Sequence, residues 1–337
     1  MQEAPHVHGR IVASAFKPHW LFRHAHLQTI VPSLLRPLPP LHLRHERLEL
    51  PDGDFVDLGW SGESAPDTAP LAVLVHGLGG GFESKYLRGT ARLLNKAGWR
   101  TVALQLRGGG PDPNRSHRIY NHGDSGDLRH LWSLMRERFP RAYIASLGWS
   151  LGANVTLKAL SEEGDAPTVD AAAVACAPFQ LKPCAEKLRT GFARIYQNKL
   201  LADLREIIKR RHGPIPVPPG VNIEAALRAR DFFEFDNAYT APLAGYENAE
   251  DYYAKASSAQ FLPKIRKPTL IINAIDDPFM TPDIIPDESD LPACVTLELA
   301  QAGGHVGFVG SDGLGRPWLE RHMAEHLQQS FEAQRMR

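Results

Sequence analysis

Short apolar runs alternate with longer amphipathic stretches through the first half of the chain, and this alternation restricts the fold more than any other feature. The run "PLAVLVHG" at 70–77 is apolar almost throughout, as in a strand with both faces buried. Apolar residues then recur three and four positions apart in "ESKYLRGTARLLNKAG", which predicts a helix. The two patterns repeat in "WRTVALQLRG", "SGDLRHLWSLMRERFP", "AYIASLGW", "LGANVTLKALSEEG" and "VDAAAVACAP". We therefore predict an α/β fold with a doubly wound, mostly parallel sheet.

The alternation stops between residues 179 and 262. This segment holds long helical stretches, the Pro-rich loop "GPIPVPPG" at 213–220 and eleven of the 28 Phe, Trp and Tyr residues. We expect it to be a helical cap, inserted over the C-terminal edge of a core formed by 45–178 and 263–337. The strands return in "PTLIINAIDDP" and "VTLELAQAGGH", and "WLERHMAEHLQQSFEAQ" predicts a closing helix.

The chain begins with a lead segment, 1–44, that is rich in His and Pro and is expected to be irregular to about Pro40. "RLEL" and "FVDLGW" then alternate apolar and polar residues on either side of the turn sequence "PDGD", which predicts a β-hairpin.

Charge and cysteine content exclude several classes of protein. The 38 Lys and Arg residues balance the 38 Asp and Glu residues without a basic cluster, so we expect no nucleic-acid partner. The three cysteines are far apart and have no C-x-x-C spacing, which indicates neither a disulfide framework nor a thiolate zinc site. No apolar run is long enough to span a bilayer, and no signal peptide is evident. We expect a soluble, cytoplasmic protein whose oligomeric state, monomer or homo-oligomer, stays open.

One serine stands between two glycines where a predicted strand meets a predicted helix. In "GWSLG", Gly148 and Gly152 flank Ser150. A nucleophilic serine at such a turn has a strained backbone, and small residues two positions before and after it avoid a clash. The sequence thus favours Ser150 as a nucleophile over the alternative, a serine that caps the following helix.

A glycine-rich loop follows the strand at 70–77. In "VHGLGGG", the backbone N–H of Leu78 is predicted to lie beside that of Leu151, and together they would form an oxyanion hole. The rival interpretation, a phosphate-binding loop, lacks both G-x-x-x-x-G-K-[ST] and G-x-G-x-x-G.

A serine nucleophile needs a base and an orienting acid. His305 in "AQAGGHVGF" is the one histidine of fifteen on the loop after the last predicted strand. Asp276 and Asp277 both follow the preceding strand in "LIINAIDDPFMTP", and spacing alone leaves both open. The order serine, aspartate, histidine is the one that α/β-hydrolases use.

Taken together, these motifs resemble the α/β-hydrolases, and more narrowly the YheT-like hydrolases, over nearly the whole chain. The resemblance is carried by "HAHLQTIVP", "HGLGGGFESKYLR", "RGGGPDPNRSHRIYNHGDSGDL", "DNAYTAPLAGYENAEDYYAKAS", "DDPF" and "GGHVGF". It implies the roles of nucleophile for Ser150, base for His305 and orienting acid for Asp277, with Leu78 and Leu151 as oxyanion donors. The "RGGG" stretch departs mildly from the family pattern, in which a cysteine or alanine usually stands among these glycines.

The sequence therefore predicts a serine esterase. Its substrate would be a small ester with an apolar acyl chain, and the resemblance implies short to medium chains or lipid esters cleaved through an acyl-enzyme. No cofactor and no metal are implied. A thioesterase, an aminopeptidase and a non-catalytic ligand-binding protein of the same fold are the alternatives.

Four further residues carry weaker signals. For Tyr120 and His122 we favour packing within their own loop over lining the pocket. His24 and His26 have the H-x-H spacing of metal ligands, but no acid or cysteine stands close by in the sequence. We therefore favour packing and surface roles for this pair.

Overall fold

The core of the molecule is a nine-stranded, mostly parallel β-sheet. The computed structural model describes residues 8–166, 168–211 and 217–336. Within these ranges the strand order is β1-β9-β8-β7-β6-β4-β5-β3-β2. The strands are β1 (Arg10–Ala13), β2 (Arg44–Glu49), β3 (Phe55–Ser61), β4 (Leu71–Val75), β5 (Arg100–Gln105), β6 (Ile144–Trp149), β7 (Ala171–Ala175), β8 (Thr269–Ala274) and β9 (Val295–Ala300).

The strand pairings follow from the sequence patterns. The predicted hairpin is present as β2 and β3, which pair antiparallel, and β3 pairs antiparallel with β5. Every other neighbouring pair is parallel. Every residue of β4, β6, β7 and β8 is buried, as expected for strands covered on both faces. The predicted fold class, a doubly wound α/β sheet, is confirmed.

Eleven α-helices occur in the described ranges. They are α1 (Ala25–Leu35), α2 (Lys85–Lys96), α3 (Gly126–Arg138), α4 (Leu151–Glu163), α5 (Leu181–Leu188), α6 (Arg194–Arg211), α7 (Ile223–Arg228), α8 (Phe232–Phe235), α9 (Ala241–Ala244), α10 (Ala249–Ala256) and α11 (Trp318–Arg335). In the core, α2 packs on α11, and α3 packs on α4. None of the described helices combines the length and apolar character needed to cross a membrane.

The segment between β7 and β8 consists of helices and loops, with no strand among its described residues. It carries α5 to α10, and a π-helix at Asp236–Thr240 joins α8 to α9. Part of the predicted Pro-rich loop, 213–216, lies outside the described residues. Buried aromatic side chains hold the segment together; they include Phe232, Phe235, Tyr239, Tyr252 and Tyr253.

The N-terminal segment is more regular than its sequence predicts. The expectation of an irregular lead is wrong, because β1 adds a parallel edge strand beside β9 and α1 forms a helix of eleven residues. Pro32 inside α1 has no N–H, so the carbonyl of Gln28 has no helical donor four residues on. Gly307 fits against that carbonyl, and a Cβ there would lie 1.8 Å from the Gln28 oxygen. Long-range packing thus fixes a helix that its own sequence does not favour.

Candidate active site

Ser150 lies in a sharp turn between β6 and α4. Its φ of 54° and ψ of −119° are rare for a residue with a side chain, and its N–H donates to the Ala175 carbonyl at 2.9 Å. A Cβ at Gly148 would lie 2.4 Å from the Gly152 oxygen, and one at Gly152 would lie 2.2 Å from the Val75 oxygen. Both glycines are therefore required. The Ser150 hydroxyl makes no capping bond to α4, which speaks against the capping alternative.

His305 lies within hydrogen-bond distance of both Ser150 and Asp277. Its Nε2 is 2.8 Å from Ser150 Oγ, and its Nδ1 is 2.8 Å from Asp277 Oδ2. The ring stacks on Phe279, with 3.9 Å between centroids and 6° between planes. The backbone N–H of His305 donates to Thr29 Oγ1 at 2.9 Å, which ties the histidine loop to α1. A carboxylate that accepts Nδ1–H leaves the lone pair of Nε2 free to accept the serine proton.

The two neighbouring aspartates point in different directions. Asp277 is buried, and its Oδ1 accepts the N–H of Phe279 at 2.8 Å while Oδ2 faces the imidazole. Asp276 Oδ1 instead accepts the N–H of Gly304 at 3.0 Å. The geometry therefore brings Asp277 together with His305, whereas Asp276 braces the loop that carries the histidine.

Within the part of the chain that the structure describes, the glycine-rich loop after β4 has one backbone N–H without an acceptor. The N–H of Gly77 donates to Tyr86 Oη at 2.9 Å and that of Gly79 donates to Tyr120 Oη at 3.0 Å. The N–H groups of residues 80–82 also have acceptors. Leu78 is the exception, since its N–H has no acceptor among the described residues. The N–H of Leu151, in the first turn of α4, is equally free within the described ranges.

A buried histidine holds this loop in place. His76 is fully buried, and burial lowers its pKa to about 4, so the ring is neutral at physiological pH. Its Nε2 accepts the N–H of Leu106 at 3.1 Å, which leaves the proton on Nδ1 to donate to the Gly77 carbonyl at 2.7 Å. A Cβ at Gly77 would lie 3.1 Å from the Cβ of Ser150, so the loop runs directly beside the serine.

Comparison with known proteins identifies the family of the chain. A family described as an alpha/beta hydrolase fold matches residues 70–312. A protein of Escherichia coli K12 named "Putative esterase YheT" is 39% identical over 95% of this chain and 95% of its own length. The chain belongs to the α/β-hydrolase family, in its YheT-like group. A monoacylglycerol lipase of Saccharomyces cerevisiae is 30% identical over 78% of this chain and 60% of its own length. Relatives named as esterase and lipase support a hydrolase.

A solved structure shares the fold. The esterase Pf2001 of Pyrococcus furiosus superposes with a TM-score of 0.57, covering 96% of this chain and 97% of that one at 16% identity. At this identity the likeness concerns the α/β-hydrolase fold alone.

A cavity of about 360 Å³ opens beside Ser150 and His305 in this hydrolase. Apolar side chains from the helices between β7 and β8 line one side, and they include Leu181, Leu188, Leu200, Leu204 and Phe232. Helix α1 lines another side through Thr29, Ile30, Pro32 and Ser33. One charged group of the cavity wall, Asp236, is buried, and burial raises its pKa to about 6. Asp236 Oδ2 accepts the hydroxyl of Tyr253 at 2.7 Å.

Tyr120 and His122 both line this cavity, the role that the sequence analysis disfavoured. Both also pack against other segments rather than within their own loop. The Tyr120 hydroxyl accepts the N–H of Gly79, and His122 Nδ1 lies 2.9 Å from the hydroxyl of Tyr252. Each side chain therefore joins the loop after β5 to a different wall of the cavity.

Cys176 is the residue beside the site that sequence reasoning missed. It follows β7 with a φ of 54°, and its Sγ accepts the N–H of Val306 at 3.2 Å. Cys176, Asp277 and His305 are the one group of three potential metal ligands within 4.8 Å of one another in the described ranges. Burial raises the pKa of this thiol well above its usual value, so it is a neutral thiol at physiological pH.

The H-x-H pair lies at the start of α1. The ring of His24 accepts the N–H of His26 as a helix cap, and His26 Nδ1 lies 2.9 Å from the hydroxyl of Tyr196. His26 also packs on Phe192, with 4.3 Å between ring centroids. These contacts correspond to the packing and surface roles expected for the pair.

Proposed function

We propose that the protein is a serine hydrolase that cleaves carboxylic esters through an acyl-enzyme intermediate. One observation carries the proposal: two hydrogen bonds of 2.8 Å connect Ser150, His305 and Asp277 beside the free N–H groups of Leu78 and Leu151. This arrangement supports the roles of nucleophile, base, orienting acid and oxyanion donors for these residues beside one cavity. The relatives named as esterase and lipase support ester substrates.

In the first half of the proposed reaction, Ser150 Oγ attacks the ester carbonyl carbon while His305 Nε2 takes the hydroxyl proton. Asp277 accepts Nδ1–H throughout and stabilises the imidazolium. The carbonyl oxygen becomes an oxyanion between the N–H groups of Leu78 and Leu151. The C–O bond to the alcohol then breaks, the imidazolium protonates the leaving alkoxide, and the acyl group stays on Ser150.

In the second half, water replaces the alcohol. His305 Nε2 takes a proton from the attacking water, the tetrahedral intermediate forms in the same oxyanion hole, and the acid product leaves as Ser150 regains its proton. No step requires a cofactor.

We further propose that residues 179–262 are the cap of this enzyme, with 45–178 and 263–337 as the core and 1–44 as the lead. The apolar wall that the cap gives the cavity suits an acyl chain. A volume of about 360 Å³ is at the small end of ligand pockets, which supports short to medium chains. Because Cys176, Cys184 and Cys294 are all free thiols, we propose a reducing, cytoplasmic location.

The experiment is labelling with a fluorophosphonate probe, followed by kinetics on p-nitrophenyl esters of increasing chain length. The wild-type protein should be labelled and Ser150→Ala should not, because only an activated serine attacks the probe. Turnover in Ser150→Ala should fall by about 10⁴-fold or more at an unchanged melting temperature.

Other results would redirect the proposal. An unlabelled wild-type protein would indicate a ligand-binding hydrolase fold without catalysis. Labelling combined with a strong preference for thioesters or peptides over oxygen esters would replace esterase with thioesterase or aminopeptidase on the same residues.

A further inference from the structure

Helix α1 buries little of its surface and exposes leucines on its outer face. Only Gln28 is buried within it. Thr29, Pro32 and Ser33 face the cavity. On the opposite side, 43% of the Leu27 surface and 72% of the Leu34 surface are exposed. A surface helix normally turns its apolar residues toward the core and its polar residues outward, so the exposed leucines leave the outer face of α1 without a partner among the described residues.

More exposed apolar side chains extend this face. Eight of the ten large exposed apolar residues in the described ranges come from two segments of the chain, and we call them the apolar rim: Trp20, Leu21, Leu27, Leu34, Leu35, Leu38, Phe192 and Ile195. The two segments touch, because His26 of α1 packs on Phe192. Exposed apolar side chains that cluster on two touching segments, rather than occurring singly, indicate an interaction site.

The segment that supplies most of the apolar rim carries basic residues and no acidic ones. Residues 8–45 contain no Asp or Glu, although acids and bases balance over the whole chain. Lys17, Arg23 and Arg194 are exposed and have no acidic partner within the described ranges. An apolar surface bordered by unpaired cations complements a lipid layer, whose acyl chains are apolar and whose headgroups are anionic.

We propose that the apolar rim docks the protein on an anionic phospholipid surface. The leucines and Trp20 would enter the headgroup region, and Lys17, Arg23 and Arg194 would contact lipid phosphates. Helix α1 belongs to both the rim and the cavity wall, so docking places the cavity beside the lipid. The helix is fixed through Thr29 to the N–H of His305, and docking requires no lid to open. The proposal rests on exposure and charge and is independent of the proposed ester chemistry.

The test is flotation of the full chain with vesicles of phosphatidylcholine alone and of equimolar phosphatidylcholine and phosphatidylglycerol. Wild type and Ser150→Ala should both float with the anionic vesicles and be released by salt, because the cations bind through screened charge. The double variant Leu34→Ser/Leu35→Ser should bind about tenfold more weakly, since two largely exposed leucines no longer enter the lipid. Met336→Ser, at an exposed residue outside the rim, should bind like wild type.

Turnover of a soluble, short-chain nitrophenyl ester and the melting temperature report on folding, and both should be unchanged in the leucine variant. Equal binding by that variant and wild type, or no binding by wild type, would overturn the proposal. So would sedimentation showing a wild-type dimer that the leucine variant turns into a monomer, because the rim would then join two copies of the chain.

Discussion

The sharpest prediction concerns the neighbouring acids Asp277 and Asp276. In Asp277→Asn the amide oxygen should stay on the N–H of Phe279, because the amide nitrogen cannot accept that bond. The amide NH₂ group then faces His305 Nδ1, which must become an acceptor and move its proton to Nε2. An Nε2–H group donates to Ser150 instead of accepting its proton, and the base is lost.

The expected loss in kcat is about 10⁴-fold, the effect of the same exchange in a well-studied Ser-His-Asp enzyme. It corresponds to about 5 kcal/mol of transition-state stabilisation. Asp276→Asn is the matched control. Its amide oxygen can still accept the N–H of Gly304, so kcat should stay within about tenfold and stability should fall by about 1 kcal/mol.

The assay is steady-state hydrolysis of p-nitrophenyl butyrate, with thermal melting measured on the same preparations. The reverse pattern, with Asp276→Asn inactive and Asp277→Asn nearly normal, would refute the assignment and make Asp276 the orienting acid. Inactivity of Asp277→Asn together with a large drop in melting temperature would refute the tautomer argument, because the loss would then reflect unfolding.

Two more predictions concern stability. Gly307→Ala places a Cβ 1.8 Å from the Gln28 carbonyl oxygen, so α1 must move. The free energy of unfolding measured in urea should fall by about 1–3 kcal/mol. Gly315→Ala is the control and should cost little, because a Cβ there has open space around it. Equal losses would contradict the packing argument. Burial raises the pKa of Asp236 to about 6, so its bound proton stabilises the fold fully below about pH 4 and that stability is lost as pH rises through about 6. The free energy of unfolding of the wild-type protein should therefore gain about 1 kcal/mol from Asp236 at pH 5 relative to pH 7. Asp236→Asn should lack this gain, and identical pH profiles for the two proteins would refute the prediction.

Much of the parallel core is predictable from sequence because four of its strands are nearly continuous apolar runs and the helices between them have their own period. The four runs around 71–75, 144–149, 171–175 and 269–274 are buried on both faces, so their pattern depends on nothing distant. The surroundings of Ser150 are predictable for the same reason, since the strand, the two glycines and the helix are contiguous.

Features that depend on distant contacts are not predictable in this way. Helix α1 contains a proline and a histidine, and its order comes from residues more than 270 positions away. Spacing alone could not choose between Asp276 and Asp277, because the choice depends on how the backbone turns after β8. Cys176 gives no sequence signal, since its position beside His305 follows from the meeting of two loops.

The attachment of α1 to the histidine loop has a consequence for the order of folding. The Gln28 side chain donates to the Val309 carbonyl at 3.1 Å and accepts the Val309 N–H at 2.6 Å across 281 residues. Synthesis runs from the N-terminus, and contacts at such separation form late. The turn at Ser150 needs only β4, β6, β7 and α4, so it can form on the ribosome long before its base arrives. We therefore expect the nascent hydrolase to be inactive until residue 309 has emerged and α1 has found its partner.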